Sequence, residues 1–383
     1  MKLSAWKYIK NNKKTAGVMI IALAFSFMAM YLIYMLLVTA VECEKPVKLE
    51  FPKKVTMFKL SDQTMGVMRE DYEDAKEYDE AVERRREELL EVFKATPGIK
   101  DAFYEQTTIC PYTPVVAQAQ TRGPLMDAER IPSYMEHIGA ILTDGRLPEE
   151  DGEILVDEVL MKNQKMEIGD WFVEDWYGES FKIVGTIQSD YMAVVGTPKN
   201  NNNTGLYFFL LTDEPMKDIR AVLEEKGIRL TNEDRIVDVE SGLEDYKENE
   251  NVIGTSVSTI CIVIMVFLPI ALIANYLSIM RDRVSEYCLY ASIGFSKSEI
   301  YGMMMREALI LFGMGIVLGL SLSFGVGYIV KSIVIDSRGL GGRLICPEQI
   351  YKILADFMIV IGILQIPMVT GIMKIRTIDA IEE

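Results

Sequence analysis

The chain has 383 residues, half of them apolar, and a formal net charge of −16. That charge is uneven: residues 42–251 hold 46 acidic against 25 basic side chains, and the remainder holds 10 against 15. An acidic segment joined to slightly basic apolar ones has no patch that could displace phosphate counterions, which argues against nucleic acid as a partner.

The first 15 residues carry Lys2, Lys7, Lys10, Lys13 and Lys14 and no acid, with Leu3, Trp6 and Ile9 at helical spacing. They read either as an amphipathic segment lying on lipid or as a basic flank that sets orientation. Residues 16–41 are an uncharged run of 26, longer than the roughly 20 needed to cross a bilayer. A secretory leader would have a shorter apolar core and small residues at its cleavage site, and Glu42 beside Cys43 does not fit that pattern. The run is expected to be a membrane helix, with the lysines holding the N-terminus in the cytoplasm and residues 42–251 outside.

The outer segment is expected to be an α/β-type extracytoplasmic domain. Runs at 55–60, 115–118, 153–156, 181–187 and 206–211 read as strands. Residues 68–93 read as a charged helix with Met68, Tyr72, Ala75, Val82, Leu89 and Phe93 along one seam. Asp79 and Arg86 interrupt that seam, which favours packing on a sheet over a coiled stalk. Helical patterns also lie at 157–166 and 214–226, and 199–204 is a polar loop.

A second span is expected at 252–280, kinked at Pro269. Residues 281–307 follow as a charged hairpin. Gly294 is suited to end its first helix, and Ser296 with Glu299 has the spacing of a capping box that starts the next. The third span, 308–330, places Gly315, Gly319, Ser323 and Gly327 at four-residue spacing, a stripe for close helix packing. An outer loop at 331–354, a fourth span at 355–373 containing Pro367 and a tail at 374–383 complete the chain. The expected fold is an integral membrane protein of four transmembrane helices with the α/β domain inserted between the first two.

Several kinds of chemistry are missing. No G-x-x-x-x-G-K-[ST], H-E-x-x-H or G-x-S-x-G occurs, and His137 is the single histidine. Cys43, Cys110, Cys261, Cys288 and Cys346 have no metal-ligand spacing. Three of them, Cys43, Cys110 and Cys346, would be outside, an odd count that implies no full disulfide framework and leaves open whether any of them pair, a Cys43–Cys346 bridge near the membrane surface among the options. Asn275 and Gln365 are the strongest polar groups within the spans, so an ion relay is disfavoured. No catalytic, metal or cofactor residue is expected here, and the hairpin becomes the entry point for energy from another subunit.

The layout resembles the MacB/FtsX-like permeases of ATP-binding-cassette (ABC) transporters. The hairpin carries the family's Arg283, Glu286, Gly294 and Glu307, with Ile293 and Phe295-Ser296 around the glycine; Ala291 and Ser292 stand where Arg-Ala is usual. In the outer segment Gly145, Arg146, Pro148, Glu153, Gly169 and Asp170 match the family's run, FKIVGTI matches the strand after it, and the tail KIRTIDAIEE is similar. The resemblance implies a permease subunit of the bacterial cell membrane that is not itself an enzyme. Its expected partners are a cytoplasmic ATPase that binds ATP and magnesium, and a second permease copy or related permease. Arg283, Glu286, Gly294, Phe295, Ser296, Glu299 and Glu307 are the residues expected at the ATPase contact. Force passed to the outer domain would export a peptide or similar cargo, with an extracellular adaptor, or would activate a partner such as a cell-wall hydrolase. A membrane-anchored receptor without an ATPase is the third reading.

Overall fold

The computed structural model describes residues 6, 9–10, 12–115, 119–173, 179–199, 206–212, 223–225, 227–231 and 233–373, without the side chains at 269, 272–273, 275–277, 279–282 and 371–373. The longer helices are α1 (Lys13–Glu42), α2 (Ala75–Lys94), α3 (Ile131–Ile138), α4 (Glu158–Gln164), α5 (Val239–Asp282), α6 (Val284–Ser292), α7 (Lys297–Val330) and α8 (Pro347–Met373). The strands are β1 (Val55–Lys59), β2 (Ile99–Tyr112), β3 (Ala119–Leu125), β4 (Ile141–Gly145), β5 (Glu153–Asp157), β6 (Trp171–Val173), β7 (Ser180–Gln188), β8 (Val194–Gly196), β9 (Leu206–Thr212) and β10 (Arg235–Val237). Two compact units result. One comprises Met1–Val38, Ile253–Ser332 and Arg343–Glu383; the other comprises Thr39–Val252 and Ile333–Gly342.

Among the described residues, four helices are long and apolar enough to cross a membrane, at Lys13–Lys54, Val239–Leu268, Lys297–Arg338 and Pro347–Thr370. Helix α1 buries Met19, Leu23, Phe27, Tyr31 and Met35, one face repeating every four residues. That face meets the small-residue stripe of α7. A β-carbon on Gly315 would lie 2.6 Å from Leu23 Cβ, and one on Gly319 would lie 2.8 Å from Phe27 Cβ and 3.0 Å from the Ala24 carbonyl oxygen. The stripe is thus filled by a helix of the same chain, close enough that only hydrogen fits in place of a side chain. Tyr31 joins a third element to the pair: its hydroxyl donates to the Leu344 carbonyl at 2.6 Å, and Phe27 meets Phe357 of α8 edge-on at 5.6 Å.

Two boundaries move. Helix α8 begins at Pro347, eight residues before the expected 355, because proline needs no backbone partner at the first helical position. The Gln349 and Ile350 N–H groups reach back to the Cys346 carbonyl at 3.1 and 3.3 Å. The longer helix places Asp356, half-buried, within its body and no longer at its start. Helix α5 begins at Val239 and continues through Pro269 as a single helix of 44 residues.

The second unit is built on a mixed sheet in the order β10-β1-β9-β2-β3-β8-β5-β7-β4, with β6 paired to β7. Neighbours are antiparallel except β3–β8 and β5–β7. Strand β9 explains how one apolar run serves two faces. Tyr207, Phe209 and Leu211 join Phe51, Met57 and Phe103 in one core; Phe208 and Leu210 join Phe58, Val82, Leu89 and Phe93 of α2 in the other. Alternate pointing of strand side chains makes this unavoidable for a central strand covered on both sides. Helix α2 starts at Ala75, not at 68, because the Asp74 carboxylate caps the Lys76 N–H at 3.2 Å. Met68 and Tyr72 therefore lie outside the helical seam, while Val82, Leu89 and Phe93 pack on the sheet. All five cysteines are buried and free, so no Cys43–Cys346 bridge forms. Most of the expected strand at 115–118, most of the helix at 214–226, most of the loop at 199–204, most of the N-terminal segment and the tail at 374–383 lie outside the described residues.

The Gly145-to-Asp170 run is a clamp around β7. Arg146 donates to the buried Glu153 carboxylate through both terminal nitrogens, and the Glu149 and Glu150 N–H groups add bonds of 3.0 and 3.2 Å. The Arg146 and Gly169 N–H groups bond the Val184 and Ile183 carbonyls of β7 at 3.1 and 2.8 Å. Residues 333–342 close the other end of the sheet. Arg338 donates to the Pro114 carbonyl at 3.3 Å, and Asn163 of α4, held by two bonds to the Thr113 backbone, donates to the Arg338 carbonyl at 3.5 Å.

Two outcomes are expected. Gly319→Val destabilises the purified protein by about 1–3 kcal/mol through overpacking, whereas Gly325→Val, whose β-carbon position is open, leaves it unchanged; unfolding in mixed micelles measures both. The Arg146 guanidinium, followed by the two backbone N–H groups, holds the Glu153 carboxyl at about 2. An unfolded glutamate titrates near 4.3, so between those values the unfolded state binds the extra proton. Stability from this group is complete above the unfolded value and is lost as pH falls toward 2. The stability gap between wild type and Arg146→Ala should shrink over that window in urea melts.

Candidate coupling site

The hairpin is made by local chemistry at its tip. Helix α6 ends at Gly294, whose φ of 101° is accessible to glycine at little cost. The Phe295 N–H bonds the Tyr290 carbonyl and the Gly294 N–H bonds the Ala291 carbonyl, both at 3.1 Å. This is a Schellman termination, and the Tyr290 and Phe295 rings close it edge-on at 6.1 Å. Ser296 then opens α7 with a complete capping box: its hydroxyl accepts the Glu299 N–H at 3.3 Å, and the Glu299 carboxylate accepts the Ser296 N–H at 2.8 Å.

Its base is made by a pairing across the two helices. Arg283, just before α6, donates through Nη1 to the Glu307 carboxylate of α7 at 2.9 Å and through Nε to Glu286 at 3.1 Å. The guanidinium also lies 4.9 Å from the centre of the Tyr287 ring. The Arg283 side chain is 6% exposed and Glu307 is 1% exposed, while Glu286 is 50% exposed. Such a pair contributes less by attraction than by what it forbids: removing one partner strands the other charge in an apolar surround.

The seven expected contact residues therefore divide. Gly294, Phe295, Ser296 and Glu299 build the turn, Arg283 and Glu307 lock the base, and Glu286 alone both joins the lock and reaches solvent. Glu307 offers no carboxylate to a partner. Two residues join Glu286 on the outward face of α6, at the i, i+3 and i+7 positions: Leu289, 57% exposed, and Ile293, 60% exposed. The opposite face carries the buried Tyr287 and Cys288. This apolar pair beside one acid is left uncovered by the described residues, and its signal in the sequence is the four-residue spacing of Leu289 and Ile293 out of phase with the buried side.

Residues 256–380 match the family described as "FtsX-like permease C-terminal". This region is an FtsX-like permease domain. The FtsX-like match takes in α6, the whole of α7 and α8 and most of α5. It supports a permease subunit of an ABC-type transporter and a multi-pass membrane protein, a class of membrane subunit that works with a cytoplasmic ATPase. Around the matched region, the described residues hold four apolar helices with a mixed α/β domain between the first two in the sequence. Among solved structures, the chain is similar to the periplasmic region of MacB from Actinobacillus actinomycetemcomitans, at 12% identity over 51% of this chain and 93% of that one, with a TM-score of 0.28. It is also similar to the extracellular domain of the noncanonic ABC-type transporter YknZ from Gram-positive bacteria, at 10% identity over 49% of this chain and 100% of that one, with a TM-score of 0.27. At those scores neither neighbour bears on function. No curated protein matches the chain.

Arg283→Met should cost about 3–5 kcal/mol by stranding the Glu307 carboxylate, and Arg283→Met with Glu307→Leu should recover most of that loss. Chemical unfolding of the two single variants and the double variant in detergent gives the coupling directly.

Proposed function

We propose that this chain receives conformational work from a cytoplasmic ABC ATPase at the α6–α7 hairpin and transmits it to the α/β domain on the other side of the membrane. The observation that carries the reading is the outward face of α6. Glu286, Leu289 and Ile293 stand exposed on a helix fixed at its tip by a capping box and at its base by a buried ion pair. A surface held at both ends passes displacement on to α7 instead of absorbing it in a loop.

ATP and magnesium are held by the ATPase, and this chain binds neither. Both termini are cytoplasmic, in keeping with the N-terminal lysines. A second permease copy or a related permease completes the assembly. Export of a peptide or similar cargo follows from the size of the α/β domain, which is larger than a regulator of a cell-wall hydrolase needs.

The exposed face is the part to alter. Leu289→Lys with Ile293→Lys, which leaves the Arg283 pairing untouched, should weaken ATPase association by about thirtyfold, the scale of losing an interface hot spot of about 2 kcal/mol. Insertion and the melting temperature of the permease should stay unchanged. Co-purification and substrate-stimulated ATP hydrolysis in reconstituted membranes read the outcome; wild-type assembly and turnover in that variant would sink the assignment.

A further inference from the structure

The α/β unit holds a cavity of about 400 Å³ at one end of its sheet, within the size range of small-molecule sites. Its floor is the Met57–Tyr207–Arg122 side of the sheet, and its walls are β10, the helical segment carrying Lys48 and Phe51, and the start of α5. The wall is firm. A β-carbon on Gly242 would lie 2.1 Å from the Lys48 carbonyl oxygen, and Lys48 pairs with Asp245 of α5 at 2.6 Å.

The charges lining it are unbalanced in a way the domain as a whole is not. Both acids are already engaged. Asp245 holds Lys48, and Asp234 accepts the Ser61 N–H, the Thr231 N–H and the Thr64 hydroxyl, each at 2.6 Å. Two guanidinium groups, Arg122 and Arg235, form no ion pair among the described residues. This occurs in a segment where acids outnumber bases 46 to 25, so the lack of carboxylates is local. Arg122 is nevertheless held in place: its Nη1 donates to the hydroxyl of the buried Tyr207 at 2.8 Å, and its charge lies 5.6 Å from the centre of that ring. The remaining N–H donors of the fork have no acceptor among the described residues, and a planar fork matches a carboxylate. Phe51, Met57 and Val237 supply an apolar lining beside it. An acidic domain repels multiply charged anions, which favours one negative charge on an apolar body.

We propose that this cavity binds an organic carboxylate with an apolar tail, its carboxylate on Arg122 and its tail against Phe51 and Met57. The chemistry is shared by a free branched acid and by the C-terminus of an apolar peptide, and the test separates them. It does not depend on the ATPase, so it stands or falls independently of the coupling reading.

The full chain in nanodiscs is titrated calorimetrically with isocaproate, with N-acetyl-Leu-Phe and with N-acetyl-Leu-Phe amide. The proposal expects millimolar or tighter binding of at least one acid, with binding of the peptide acid or of isocaproate alone naming the source. It expects the acid that binds to lose at least about tenfold in affinity in Arg122→Gln, and a few-fold in Tyr207→Phe. Where the peptide acid binds, its amide should also be at least about tenfold weaker, roughly 1.4 kcal/mol. Absence of binding by both acids, equal binding of peptide acid and amide, or undiminished binding in a folded Arg122→Gln protein overturns it. Should Arg122→Gln fail to fold, Tyr207→Phe takes its place, and unchanged affinity there overturns the proposal.

Discussion

The buried pair of Arg283 and Glu307 is the constraint on which the hairpin depends. A guanidinium and a carboxylate taken together out of water tolerate no partial separation, since each becomes costly without the other. The helices they join therefore move as one piece or not at all. Glu286 extends this lock to the surface. From Glu307, α7 continues with its small-residue stripe packed closely against α1. Charge inside and contact outside are two ends of one arrangement.

The α/β unit solves a different problem with the same economy of parts. Its central strand β9 feeds two cores because successive side chains point to opposite faces, and phenylalanines on neighbouring strands stack in both, Phe58 on Phe208 and Phe103 on Phe209. Around β7 the polar bonds of Arg146, Glu153 and Gly169 fix a strand that pairs on both sides. The cavity near Arg122 opens onto one of these cores, against Phe51, Met57 and Tyr207, beside β10, which is only three residues long.

What was legible in the sequence follows the range of each interaction. The four apolar helices, the break at Gly294 and the Ser296–Glu299 cap depend on neighbours a few residues apart, and all could be read from the order of residues. Strand β9 was legible as an apolar run. The fourteen-residue β2 was not, since Lys100, Asp101 and Glu105 break its apolar pattern and only its neighbours β9 and β3 make it a strand. Helix α3 and strand β10 escaped for the same reason, being short and defined by what they pack on. The site divides likewise. Arg283 and Glu307 stand at opposite ends of the hairpin, 24 positions apart, and their pairing is visible only once the turn has closed. Exposure of Leu289 and Ile293 needs the buried face of α6 to be known first.

The segment 333–342 has a consequence for how the molecule is made. It belongs to the α/β unit, yet it is translated after α5 and α7, so the ribosome delivers the last piece of that unit only when two further apolar helices have already emerged. Until then Asn163 lacks the Arg338 carbonyl, and the Pro114 carbonyl lacks its donor. The α/β unit is thus completed only after α5 and α7 have been synthesised. A fragment cut at residues 42 and 251 would be a permanent copy of that unfinished state, with the end of its sheet uncovered.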